Sequence, residues 1–233
     1  MKKLTAMLTV LVLLAACLPA ALAAQYQWGG GTPKPESEQG VDGWYYVYVK
    51  QMNAGDQLDP TQAKECVWTA DNASWGECWQ VPEADLTLDF WEVWTDIGAI
   101  WDWLWDEDGV NNGQVYPYGA DAVIMVKWAP PEEGVYAVSA LIKEAGCHSS
   151  HTPTDGCFVS VWLNGENLYF ADLGTEDALE NVMAFEGELA LSTDDALYFA
   201  IDPKGSAEDN IECLFDEYVI WNINIETAGI TAV

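Results

Sequence analysis

The sequence predicts an all-β protein: a single antiparallel β-sandwich with a tryptophan-rich insertion. Three observations carry that expectation. Short runs rich in β-branched and aromatic residues recur between turn clusters, and no stretch keeps a convincing helical periodicity. Half of the 233 residues are hydrophobic and 13 are tryptophan, which argues for a packed core and against disorder. Ala122–Ile142 shows a strand, a corner and a second strand in succession. Within it, Val123, Met125 and Lys127 alternate with Ile124, Val126 and Trp128 as the two faces of a strand. Pro130 and Pro131 remove two backbone donors and Gly134 permits a sharp turn, so the strand stops before Val135–Ile142 begins.

Taken in order, the chain opens with Met1-Lys2-Lys3, an apolar run over Leu4–Leu14, and Ala21-Leu22-Ala23. A basic end, a short apolar stretch and a small-x-small site make a secretory signal peptide over 1–24, too short to span a membrane, with cleavage after Ala23 or Ala24. Leu14-Ala15-Ala16-Cys17 also resembles a bacterial lipoprotein box that would lipidate Cys17. The expected location is therefore extracellular, with lipid anchoring through Cys17 as the alternative. About 209 residues remain, the size of one all-β domain.

Residues 25–42 are glycine- and proline-rich and are expected to form a flexible lead-in. The sandwich domain is placed at 43–226, followed by a tail at 227–233. Gly43–Lys50 reads as the first strand. Cys66–Cys78 encloses a loop carrying Trp68, Trp75 and an Asn72-Ala73-Ser74 sequon. Leu86–Val93 alternates as a strand. Trp91–Trp105 holds five tryptophans, and Trp101, Trp103 and Trp105 recur at period 2, which puts them on one face of a strand. Asp106–Gly113 is a turn cluster. Lys143–Gly156 is a loop with Cys147 and both histidines, running up to Cys157. Cys157–Leu163 and Asn167–Ala171 are strands joined by an Asn164-Gly165 hairpin turn. Gly174–Asn181 is an acidic loop. Val182–Leu191, a Ser192–Asp195 turn and Ala196–Ile201 form the next pair. Pro203–Asn210 is a loop, and Leu214–Ile225 the closing strand.

The corner Trp128-Ala129-Pro130-Pro131-Glu132-Glu133-Gly134, leading into Val135-Tyr136-Ala137-Val138, is followed by Asp155-Gly156 and Asn164-Gly165. Asp195-Ala196-Leu197-Tyr198-Phe199-Ala200-Ile201-Asp202, then Asp209, completes the set. Together these resemble the corners and strands of secreted bacterial carbohydrate-binding-module-like and galactose-binding-like jelly rolls. The resemblance covers roughly 119–225, and more weakly 44–94. It implies a jelly-roll-like sandwich that binds glycans. One position departs: Asp194 stands where the usual Gly-Asp turn has glycine.

Charge narrows the partners. Against 38 acids stand 8 lysines and no arginine, for a net charge of −30. Binding phosphate requires a basic surface, so nucleic acid is excluded, and anionic membranes and polyanionic glycans are disfavoured. Neutral polysaccharides, cations and cell-surface proteins remain as partners.

Three constellations carry chemistry. Trp101, Trp103 and Trp105, about 6–7 Å apart along one strand face, can stack on pyranose rings, with Asp102 and Asp106 accepting from hydroxyls. The bland alternative is that they fill a core together with Trp68, Trp75, Trp79 and Trp91. Cys147, His148, His151 and Cys157 offer four zinc ligands, but their spacing matches no zinc finger. For a secreted chain the competing reading is a Cys147–Cys157 disulfide, with Cys66–Cys78 as a second, leaving Cys213 over. Asp106 and Asp108 resemble part of a calcium loop but lack its third acid and distal glutamate. Asp172, Glu176 and Asp177, or Asp202 and Asp209, are further acidic groupings from which a structural calcium is one option.

Motifs for catalysis are missing: there is no nucleophile elbow, His-Glu-x-x-His or phosphate loop. Glu92, Asp102, Glu212 and Asp216 fall where a glycosidase acid could, but nothing selects a pair. The expected function is non-catalytic binding of a neutral glycan by aromatic stacking. The alternative is a structural or adhesive surface protein, with calcium as a stabiliser.

Overall fold

The computed structural model describes residues 23–28, 38–50, 58–72, 76–82, 99–105, 111–116, 122–147, 157–173, 179–203 and 217–228. In these the chain is all-β, with two single-turn 3-10 segments, Val41–Gly43 and Pro60–Gln62. The strands are β1 (Gln25–Trp28), β2 (Trp44–Lys50), β3 (Lys64–Glu65), β4 (Val67–Asn72), β5 (Gly76–Gln80), β6 (Ala99–Trp105) and β7 (Asn111–Tyr116). They continue with β8 (Ala122–Trp128), β9 (Gly134–Cys147), β10 (Cys157–Leu163), β11 (Glu166–Leu173), β12 (Leu179–Leu191), β13 (Leu197–Pro203) and β14 (Glu217–Thr227).

These form two sheets. One has eight strands in the order β12-β9-β14-β7-β6-β5-β4, with β1 also paired to β14; the other has six, in the order β11-β10-β13-β8-β2-β3. The described pairings are antiparallel. On β14, β7 pairs with residues 219–221 and β1 with 223–226, so the two short strands divide β14 between them.

The inner faces meet in one core. Ile124, Val126, Trp128, Phe199 and Ile201 of the six-stranded sheet pack with Tyr136, Val138, Ile142, Trp221 and Ile223 of the other. The Pro-Pro corner is one of the places where the chain crosses between the sheets, from β8 in one to β9 in the other. Trp128 and Tyr136 are fully buried there, their rings 5.1 Å apart and edge-on. The Trp128 indole N–H donates to the Asp42 carbonyl at 3.1 Å, and the Tyr136 hydroxyl donates to the Glu132 carbonyl at 2.8 Å. Both aromatics thus bury their rings while their polar ends remain hydrogen-bonded. Gly43 has φ of 84°, and a Cβ there would run into the Ala129 carbonyl oxygen, so only glycine fits beside this corner.

The strand expected over 43–50 begins one residue later, because Gly43 belongs to the preceding turn. Cys157–Leu163 and the Asn164-Gly165 turn fall where the sequence placed them, with Asn164 at φ 51°.

Two expectations need correction. Residues 25–28, read as the start of a flexible lead-in, are β1, with Trp28 only 2% exposed. Gln-Tyr-Gln-Trp alternates at period 2, and Tyr26 packs 5.3 Å from Trp128, but four residues before a Gly-Pro run are too short to show the pattern in sequence. The Cys66–Cys78 loop is instead the β4–β5 hairpin, and neither proposed disulfide is present among the described residues: Cys66 and Cys157 are buried thiols. Register explains the first. Val67 pairs with Gln80 and Thr69 with Cys78, so Cys66 sits about 10 Å along the ladder from Cys78, beyond disulfide reach. Cys147 ends β9 in the eight-stranded sheet, whereas Cys157 begins β10 in the other and contributes to the core.

Candidate functional site

The outer face of the eight-stranded sheet carries an open groove of about 320 Å³ across β12, β9 and β14. Its geometry follows from register. Glu186 of β12 stands opposite Ser139 of β9, Ser139 opposite Asn224 of β14, and Asn224 opposite Gln27 of β1. The next row on the same face runs Glu188, Ala137, Glu226, Gln25. Adjacent strands lie about 4.8 Å apart, so short Ala137 and Ser139 form a floor between longer side chains on both neighbours.

The strands adopt this arrangement because their apolar residues occupy alternate positions. Tyr136, Val138 and Ala140 of β9, and Ile223 and Ile225 of β14, are buried, which turns Ala137, Ser139, Asn224 and Glu226 outward. The Asn224 amide is held at both ends. Its oxygen accepts from Gln25 Nε2 at 2.9 Å, and its nitrogen donates to Glu226 Oε1 at 3.0 Å. What the groove offers an incoming molecule is therefore mainly hydrogen-bond acceptance, from Glu186, Glu188 and Glu226 beside the Ser139 hydroxyl.

The tryptophan strand belongs to the same sheet. β6 lies two strands beyond β14, about 10 Å away, with β7 between. On the ladder Trp101 pairs with Gln114, and Gln114 with Ile220, the residue between buried Val219 and Trp221. The register shifts by one residue between Trp101 and Leu104, so the even period-2 spacing over Trp101, Trp103 and Trp105 is interrupted in the β6–β7 ladder. The side chains of Trp101, Asp102, Trp103 and Trp105 lie outside the described structure, as do Asp106 and Asp108 altogether.

The same holds for Trp75, Trp91, Glu92, His148, His151, Glu176, Asp177, Asp209, Glu212, Cys213 and Asp216, and for the expected strand 86–93. Trp79 is a core residue, stacked 5.0 Å from Tyr46 at 13° and 5.4 Å from Trp68. Asp172 and Asp202 flank Phe158 on the two neighbouring strands. Among the described residues no three His, Cys, Asp or Glu side chains converge as a metal site.

Sequence reasoning missed Glu186, Glu188, Ser139, Asn224 and Glu226. Their only signal is polar alternation on β12, β9 and β14, which any half-buried strand shows.

No protein-family model and no curated protein matches the chain. Among solved structures, it is similar to a ruminal GH26 endo-beta-1,4-mannanase at 17% identity and TM-score 0.24, over 47% of this chain and 19% of that one. It is also similar to a beta-glucosidase from Kluyveromyces marxianus in complex with glucose, at 12% identity and TM-score 0.27, over 85% of this chain and 20% of that one. A third is the infectious bursal disease virus Gt strain structure, at 10% identity and TM-score 0.27, over 90% of this chain and 57% of that one. The chain thus spans about a fifth of the length of the first two, and likenesses this distant carry no argument for function. Among the described residues no helix is long and apolar enough to cross a membrane.

Proposed function

We propose that this protein is a secreted, non-catalytic carbohydrate-binding protein on a jelly-roll-like sandwich, and that a neutral glycan lies across the outer face of the eight-stranded sheet. The supporting observation is the groove itself. A rigid sheet presents Glu186, Glu188, Glu226 and Ser139 around a floor made by Ala137. Carboxylates and a hydroxyl in rows suit a ligand whose surface is mostly O–H donors. A polyanionic glycan would meet three carboxylates of its own sign. As part of the same proposal, the glycan extends along this sheet toward β6, the strand on which Trp101, Trp103 and Trp105 recur at period 2.

Titration of intrinsic tryptophan fluorescence with a panel of neutral polysaccharides, with and without calcium, tests the reading. Binding is expected, and the double variant Glu186→Gln/Glu188→Gln weakens it about tenfold, the loss of one charge-assisted hydrogen bond's worth of free energy. Ala137→Trp fills the floor and abolishes binding with the fold intact. No response to any glycan, together with a calcium-linked rise in melting temperature, would favour the adhesive or structural alternative instead.

A further inference from the structure

The small-x-small end of the signal-peptide pattern lies next to the start of β1. Ala21-Leu22-Ala23 is the small-x-small site, Ala23 is exposed, and Ala24 is the half-buried residue from which β1 enters the sheet. Ala24 is bound through both main-chain groups to one residue at the other end of the protein. Its nitrogen donates to Thr227 Oγ1 at 2.8 Å, and its carbonyl accepts from the Thr227 N–H at 2.9 Å. The neighbouring pair is Gln25 and Glu226, with Gln25 Nε2 held by Asn224. Tyr26 and Trp28, just beyond, pack into the core.

We propose that Ala23–Ala24 is the processing bond, and that Thr227 is the receptor for the new N-terminus. The alternative bond, Ala24–Gln25, is disfavoured on two independent grounds. Leu22 would then occupy the position that calls for a small residue, and removal of Ala24 would delete both contacts with Thr227. Hydrolysis by a leader peptidase adds water across Ala23–Ala24. The carboxylate leaves with Ala23, and the amine, protonated at neutral pH, stays on Ala24. The Ala24 nitrogen changes from an amide into an ammonium while keeping the Thr227 hydroxyl as acceptor, and Glu226 lies one residue away. A hydrogen bond with one ionised partner is about twice as strong as a neutral one. Processing therefore tightens the clamp that ties β1 to β14 and holds Tyr26 and Trp28 in place.

The test is expression of the full chain, with its own leader, in a secreting bacterial host, followed by intact mass and N-terminal sequencing. The expected product begins at Ala24. A product beginning at Gln25, its cyclised pyroglutamyl form, a chain lipidated at Cys17 or an unprocessed chain would each overturn the assignment. The receptor role is read from melting temperatures. Thr227→Val should lower the melting temperature of the processed chain about twice as far as that of a chain retaining Ala23, while Thr227→Ser, which keeps the hydroxyl, restores it. Equal losses in both chains would overturn it. Should Thr227→Val fail to fold, the parent sequence alone decides: the processed chain should melt above the chain retaining Ala23, and equal melting temperatures would overturn the receptor role.

Discussion

The two sheets share a core yet differ on their outer faces. Over β12, β9, β14 and β1, the outer face of the eight-stranded sheet carries two polar rows, Glu186, Ser139, Asn224 and Gln27, then Glu188, Ala137, Glu226 and Gln25, with exposed Val135 and Met183 on either side. The outer face of the six-stranded sheet is a second apolar cluster, in which Val47, Val123, Met125, Trp162, Tyr198 and Ala200 are buried. Leu58 and Ala63, on either side of the Pro60–Gln62 turn, pack on it. Lys127 lies in that face with its Nζ 5.1 Å from the Tyr45 ring centroid and 5.8 Å from that of Tyr198, so its charge meets aromatic faces. A strand covered on both sides has no solvent face to mark with polar residues. β8 therefore reads Ala-Val-Ile-Met-Val without interruption, while β9 and β14 alternate. The open face leaves polar side chains in solvent; the covered face is committed to packing.

The largest effect that probes this contrast comes from paired truncations. Met125→Ala should cost about 2–5 kcal/mol, because Met125 is fully buried on the covered face. Ser139→Ala, at an equivalent outward position on the open face, should stay within about 0.5 kcal/mol. Urea denaturation of both variants checks this, and similar costs would mean that the faces are not distinct. A smaller loss, about 1–2 kcal/mol, is expected for Leu58→Ala, since this side chain is only half-buried. Loosening it bares apolar surface, so concentration-dependent association in sedimentation should appear with the loss of stability.

The smallest effect lies in the turn that carries the chain from β12 in one sheet to β13 in the other. Asp195 accepts from the Ser192 N–H at 2.7 Å, the Asn164 side-chain amide at 2.8 Å and the Ser192 hydroxyl at 2.8 Å. These bonds, the backbone one first, hold its carboxyl below the usual range. A depressed carboxylate contributes stability that is present above its unfolded value, about 3.9, and lost as pH falls through the folded one. Asp195→Asn should thus melt slightly below the parent at pH 7, and the gap should close in acid. A gap that persists at low pH would show that the turn is held by something other than this charge. Thiol chemistry gives a fourth check. Burial pushes the Cys66 thiol far above its ordinary range, so alkylation followed by mass mapping should leave Cys66 unmodified in the folded protein and modified in denaturant.

Much of the fold was legible. β10, the Asn164-Gly165 hairpin and the Pro130-Pro131 corner fall where the residues placed them, because a Pro pair and an Asn-Gly turn restrict the backbone locally. β6 is a strand, as the tryptophan spacing suggested, but its register shift after Trp101 depends on β7 and could not be read from β6 alone. The groove was illegible for a different reason. Glu186, Ser139 and Asn224 come from three strands separated by tens of residues, and each resembles ordinary solvent-facing polarity until register sets them in one row.

By itself, then, the sequence determined the class and composition of the molecule: antiparallel strands, an acidic surface without arginine, and the positions of its sharpest turns. These follow from local sterics and total charge, which need no knowledge of neighbours. Tertiary structure decided which strands pair and in which register. It kept Cys66 out of reach of Cys78, drew Gln25–Trp28 into the sheet beside β14, and gave one sheet an open polar face and the other a covered one. Those outcomes depend on contacts between distant segments, whose partners no single stretch of sequence names.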